Sequence, residues 1–221
     1  MKLLWNALIK FTAGLLLIGL LIFLPAGTLR YTGGWLFLGV LFIPIFIMGV
    51  VLLVKAPDLL KKRLDGKEKE ATQKGVVAFS GLLFLGGFLV AGLDFRFGWS
   101  HMPALLTAVA AVLFLVAYGL YAEVMRENAY LSRTVQVQEN QKVIDKGLYG
   151  IVRHPMYGAT VLLFLMIPFL LGSWYALPFF LCYPLVIAVR IRNEEQLLSK
   201  ELEGYTEYKQ KVKYRLIPFI W

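Results

Sequence analysis

Apolar residues run almost unbroken from Leu8 to Leu24. A helix of that length at 1.5 Å per residue nearly spans about 30 Å of hydrocarbon, so this stretch predicts a first transmembrane helix. A cleavable signal peptide is the competing reading, because Lys2 and Lys10 precede the apolar core and Pro25-Ala26-Gly27 follows it; the length of the run and the spans after it favour the helix. Gly33 to Val54 predicts a second span, with Pro44 inside it, which a membrane helix tolerates. Gly75 to Leu93 and Pro103 to Tyr121 predict a third and a fourth, separated by Asp94 to His101, whose aromatics fit an interfacial belt. Two shorter apolar runs, Met156 to Leu171 and Trp174 to Val189, are joined by Gly172-Ser173 and predict a tight helical hairpin. Pro168, Pro178 and Pro184 punctuate that hairpin, so a tilted or partly re-entrant form stays open beside a full pair of spans. The expected fold is an all-α integral membrane protein with about six transmembrane helices. It divides into residues 1–122, with four helices, and 123–221, with a polar connector, the hairpin and a tail.

The polar stretches between these runs set the orientation. Lys55, Lys61, Lys62, Arg63, Lys67, Lys69 and Lys74 crowd one loop, which predicts a cytosolic segment with a short interfacial helix around Leu59 to Leu64. Glu123 to Val152 is the longest polar segment and carries Asn128, Arg133, Gln136, Gln138, Glu139, Lys142 and Lys146. With six spans and both ends inside, 21 of the 23 Lys and Arg residues are cytosolic, and only Arg30 and Arg96 are outside. In the tail, Tyr205, Tyr208 and Val212 share a helical face opposite Glu207 and Lys211, as in an interfacial helix lying on the membrane. The alternative is a solvated tail with Glu207 and Lys211 as an i,i+4 pair.

Composition agrees with the pattern: 59% hydrophobic and 17% charged residues describe a membrane protein. The net charge of +9 does not point to nucleic acid, because the basic residues lie between apolar runs and not beside base-stacking aromatics. The charge fits topology and contact with membrane lipids. A single cysteine, Cys182, excludes an intrachain disulfide. Two histidines and one cysteine cannot build a histidine or cysteine metal cluster, so no metal is expected, and no phosphate-binding glycine loop or nucleophile triad is present. His101 reads as a solvated interface residue beside Trp99. A non-enzymatic scaffold or small transporter is a rival from another class, but Asp94 and Glu123 sit near predicted helix ends and mark no ion pathway at midplane.

The chemistry-bearing residues gather at two borders. In Gly147-Leu148-Tyr149-Gly150-Ile151-Val152-Arg153-His154-Pro155-Met156-Tyr157-Gly158, the proline pushes His154 out of the α region and opens the next helix. Arg153, His154 and Tyr157 then surround a helix N-terminus suited to a carboxylate or phosphate. At the other border, Arg190 and Glu194 share a helical face, with Glu195 beside them, and the hairpin returns this end to His154. Arg190 near the apolar boundary is either an acceptor-binding cation or a snorkelling side chain paired with Glu194. Such a site suits S-adenosylmethionine, whose amino group, carboxylate and adenine match glutamate, helix N-terminus or histidine, and tyrosine. Chemistry alone leaves this as one option among several.

The segments Gly147-Leu148-Tyr149, Arg153-His154-Pro155-Met156-Tyr157-Gly158, Arg190-Ile191-Arg192-Asn193-Glu194-Glu195 and Gly204-Tyr205-x-x-Tyr208 through Arg215-Leu216-Ile217-Pro218-Phe219 resemble the isoprenylcysteine carboxyl methyltransferase family and its phospholipid methyltransferase relatives. The resemblance covers roughly Gln136 to Phe219. It implies that S-adenosylmethionine binds from the cytosol under the tail and that a lipidic substrate enters from the bilayer. Cofactor contacts would fall on Gln138, Gln141, Lys142, Val143, Ile144, Tyr149, His154, Pro155, Met156, Tyr157 and Glu194. Arg190 would hold the acceptor, and Glu195 would support it or act as a base toward an amine. The connector between Gln138 and Tyr149 is shorter than in the eukaryotic enzymes, and Arg192 and Asn193 replace acidic residues, so the acceptor need not be a prenylated cysteine. Carboxyl O-methylation is the preferred expectation, and amine N-methylation of phospholipid type the alternative.

Overall fold

The computed structural model describes residues 2–65, 71–132, 134–135 and 137–221, with backbone only at 71 and 72. Lys67, Lys69, Arg133 and Gln136, named above for loop charge and the polar connector, lie outside the described residues. Every regular element among the described residues is helical.

Among the described residues four helices are long and apolar enough to cross a bilayer: α1 (Lys2–Ala26), α2 (Thr32–Lys55), α4 (Ala71–Phe97, apolar from Gln73) and α5 (Ala104–Glu127). They make this a multi-pass membrane protein. Between α2 and α4 lies α3 (Pro57–Leu64), the expected short helix, opened by a proline at its start. After the connector come a single 3₁₀ turn (Gly147–Gly150), then α6 (Pro155–Leu171), α7 (Leu177–Leu181), α8 (Tyr183–Glu201) and α9 (Tyr205–Lys211).

The second half departs from the sequence reading in its details. Helix α6 has 17 residues, about 25 Å of rise, and stops at Gly172 in the left-handed conformation. The run expected as one arm from Trp174 is split into α7 and α8 around Cys182, and Pro184 falls in the first turn of α8, where a proline costs no hydrogen bond. Helix α8 then carries on well past Val189, so Arg190, Glu194 and Glu195 belong to a continuous helix leaving the apolar layer.

The main core draws Ile22, Phe37, Phe88, Phe114, Leu170 and Phe180 from six different helices. Many other large apolar side chains, among them Leu24, Leu105 and Leu185, face outward, as lipid-facing surfaces must. At one end of the bundle, buried Asp94 accepts from the Ser100 amide at 2.8 Å and from the Ser100 and Ser173 hydroxyls at 2.6 and 2.5 Å, tying the α4–α5 and α6–α7 turns together. The opposite end, where α1 begins and α2 and α5 finish, holds the polar connector.

Candidate active site

Two features of the connector build one wall. The Glu127 carboxylate accepts the Leu148 amide at 3.0–3.1 Å and so caps the 3₁₀ turn. Gly147 lies against that carboxylate at φ +59°, a left-handed conformation that a residue with a Cβ adopts only with strain. The turn presents Tyr149, whose hydroxyl accepts from Asn128 at 2.9 Å and whose carbonyl accepts the Tyr208 hydroxyl at 2.7 Å. Burial keeps Tyr149 and Tyr208 protonated by pushing both phenols well above their ordinary value.

The chain then turns through His154 into α6, with His154 outside the α region and Pro155 at the start of the helix, as its neighbours dictate. The Arg153 and His154 amides donate to the Tyr214 and Arg215 carbonyls at 2.9 and 2.8 Å, which binds the end of the chain to this border. Beneath them lies Glu195, 4% exposed. Its Oε1 accepts from Arg153 Nε at 2.6 Å and His154 Nε2 at 3.3 Å, and its Oε2 from Arg215 Nε at 2.9 Å. Burial pulls the Glu195 carboxyl upward, but these donors outweigh it and hold the group well below the usual carboxylate range. With Glu195 ionised, His154 Nε2 is the donor in this contact. Arg153 is buried yet also lines the cleft described next, and its guanidinium grips the Val212 and Lys213 carbonyls at 2.7 and 2.9 Å.

On α8, Arg190, Glu194, Leu198 and, just past its end, Leu202 recur every four residues and form one stripe along a cleft of about 840 Å³, counted out to its open mouth. Tyr157 donates its hydroxyl to Glu194 Oε2 at 2.5 Å and accepts from Arg190 Nε at 2.9 Å. The cleft gathers Gln141, Lys142, Val143, Ile144, Tyr149, His154, Met156, Tyr157, Arg190 and Glu194 from the expected set. Three others do not line it. Gln138 spends its side-chain amide on the Tyr130 carbonyl and its backbone N–H on Gln141 Oε1 at 2.9 Å. Pro155 is buried in the first turn of α6, and Glu195 sits behind the wall.

Residues outside the sequence-based set complete the cleft. Tyr205 and Tyr208 of α9 close it, with the apolar face of α9 packed on Leu198, Leu202, Val137 and Val143. The apolar face expected to meet the membrane thus packs on the protein itself, and Lys211 pairs with Asp145 at 2.7 Å, not with Glu207. The four-residue repeat from Arg190 to Leu202 was the available signal for the cleft-facing stripe.

A second cavity opens between α4, α6 and α8, lined by Val76, Val77, Ser80, Gly81, Phe84, Phe164, Tyr183 and Ile187. Ser132, Thr134, Met156, Tyr157 and Arg190 line both cavities and form their common wall. Arg63 of α3 reaches this second cavity, donating to the Ser132 carbonyl at 3.2 Å and to the Tyr121 hydroxyl. Nothing in the sequence pointed to it, because α3 precedes Ser132 by a full span pair. Among the described residues no three His, Cys, Asp or Glu side chains converge as a metal site would require.

Residues 105–200 match the model of the isoprenylcysteine carboxyl methyltransferase (ICMT) family. The matched stretch runs from α5 into α8 and contains most of the cleft, leaving out Leu202, Tyr205 and Tyr208. Delta(14)-sterol reductase TM7SF2 of Mus musculus is 29% identical over 91 residues, which are 40% of this chain and 22% of the mouse protein. The chain thus aligns with under a quarter of that relative's length.

Proposed function

We propose, from the premise that residues 105–200 belong to the isoprenylcysteine carboxyl methyltransferase family, that this membrane protein is an S-adenosylmethionine-dependent methyltransferase acting on a lipidic, isoprenylcysteine-like carboxylate. The observation that carries the reading is the wall shared by a polar cleft and an apolar cavity, with Arg190 on both sides of it. The cleft residues fit the cofactor: Glu194 offers a carboxylate to its ammonium, and the rings of Tyr149, Tyr205 and Tyr208 offer apolar faces to its adenine. When bound, S-adenosylmethionine supplies an electrophilic methyl group on a sulfonium.

The protein's part is placement. The apolar cavity takes the lipid chain of the acceptor, and Arg190 holds the acceptor carboxylate at the junction. Tyr157 fixes Arg190 relative to Glu194, so acceptor and cofactor sites share one rigid reference. A carboxylate is already deprotonated at neutral pH, so orientation supplies the acceleration and no base is required. That favours O-methylation over the amine alternative, because Glu195, occupied by Arg153, His154 and Arg215, is poorly placed to take a proton. In topology, we take α6 and the α7–α8 pair to complete about six crossings, with both termini and the cleft on the cytosolic side. The likeness to a sterol reductase supports a second reading, in which the same scaffold reduces a lipid with a hydride donor in the cleft.

Calorimetry separates the two. Purified protein should bind S-adenosylhomocysteine, lose it in His154→Ala and Glu194→Ala, and keep it in Arg190→Ala, which in turn should lose transfer to a farnesylcysteine carboxylate. Binding of a reduced nicotinamide dinucleotide alone would overturn the methyltransferase reading, as would folded wild-type protein that binds neither nucleoside cofactor nor carboxylate acceptor.

A further inference from the structure

Tyr205 lines the cleft from α9 and is 4% exposed. Its hydroxyl oxygen is buried and, among the described residues, has no hydrogen-bond partner. Buried hydroxyls in folded proteins are almost always paired, so an orphan hydroxyl on a residue that lines a cavity is an unmet demand for a partner atom. Its neighbour Tyr208 makes the contrast plain, since that hydroxyl is spent on the Tyr149 carbonyl at 2.7 Å. The two rings lie 5.7 Å apart on the same helix, and only one of them has its polar end satisfied within the protein. Burial first, then the Glu195 and Glu194 carboxylates, push the Tyr205 phenol well above its ordinary value, so it keeps its hydrogen.

Resting on the cofactor reading above, we infer that Tyr205 is a cofactor-binding residue, its phenol O–H donating to an acceptor oxygen or nitrogen of the nucleoside-bearing ligand in the cleft. The C-terminal helix is then a working part of the site and not only its cover. The ligand satisfies a group that the protein alone leaves unpaired, so binding tightens α9 against the cleft.

Tyr205→Phe tests this through two readouts with opposite signs. Removing a hydroxyl that lacks a partner should leave the melting temperature of the ligand-free protein unchanged or raised, while affinity for S-adenosylhomocysteine falls about 5–15-fold, the value of one good hydrogen bond. A hydroxyl with a purely structural role predicts the reverse: a lower melting temperature and unchanged affinity. Wild-type protein that fails to bind S-adenosylhomocysteine overturns the cofactor reading itself; wild-type binding matched by equal binding in Tyr205→Phe overturns the inference alone. Adenosine and methionine, titrated separately, identify which half of the ligand the hydroxyl meets, and loss of discrimination for both fragments also counts against it. Should the variant fail to fold, 3-fluorotyrosine at position 205 gives the same answer: its fluorine resonance should shift on saturation with S-adenosylhomocysteine, and an unmoved resonance overturns the inference.

Discussion

Glu195 gathers Arg153, His154 and Arg215 on two buried oxygens, and so joins the border before α6, the middle of α8 and the end of the chain. Removing one partner of a buried ionic cluster leaves the others uncompensated and costs about 3–5 kcal/mol. Glu195→Gln should therefore lower stability by up to that amount, measured by chemical or thermal unfolding in detergent. The pH dependence follows from the direction of its shift. A carboxyl held below its unfolded value of about 4.3 stabilises the fold fully above that pH and loses its contribution as pH falls toward the folded value. Wild-type stability should drop steeply below about pH 4.3, whereas Glu195→Gln should show a shallower acid limb; parallel curves would contradict the assignment. Tyr157→Phe addresses the second bridge. It breaks a hydrogen bond to each of two charged groups, so transfer should fall about 10–100-fold, with cofactor affinity reduced much less, as read from separate kcat and KM values. At this scale the sequence, through local spacing, pointed to the convergence of His154, Tyr157, Arg190 and Glu194 that the cleft shows. It did not reveal what Arg153 holds, because its partners lie at Glu195 and in the Val212–Lys213 backbone, and no periodicity encodes such distant meetings.

Helices that contact each other without a hydrophobic drive from water need close approach of their backbones. Gly92 provides it between α4 and α1: a Cβ there would sit 2.8 Å from the Ile22 carbonyl oxygen and 2.8 Å from Pro25 Cβ. The obstacle is partly backbone, so it cannot rotate away. Gly92→Ala should destabilise the protein by about 1–3 kcal/mol through overpacking, seen as a lower melting temperature in detergent; no change would mean that α1 shifts freely against α4. The long apolar elements were legible from hydropathy alone, since run length decides them. Two features were not. The break between α7 and α8 falls at Cys182, two residues before Pro184, where proline marks the start of a helix as readily as a kink inside one. Helix α9 turns its tyrosines toward the protein because an amphipathic face is the same signal whether lipid or a neighbouring helix receives it.

The whole bundle has two unlike ends. Gly27 to Arg30, the Asp94–Ser100–Ser173 cluster and the aromatics Phe97, Trp99 and Tyr175 lie at one, and the connector, α3 and α9 lie at the other. Basic residues follow the same division, with Arg30 and Arg96 at the first end and the other Lys and Arg among the described residues at the second. Insertion machinery retains short basic segments in the cytosol, so the end with the cleft should face inward, where soluble nucleoside cofactors are found. Single cysteines introduced into a Cys182→Ser background make this measurable. Leu29, in the turn after α1 and 68% exposed, and Glu203, exposed between α8 and α9, mark opposite ends. A membrane-impermeant maleimide added to intact cells should label Leu29→Cys and leave Glu203→Cys untouched until the membrane is permeabilised. The reverse pattern would put the cleft outside, away from any cytosolic cofactor, and would overturn the orientation together with the supply of methyl donor that the proposed reaction needs.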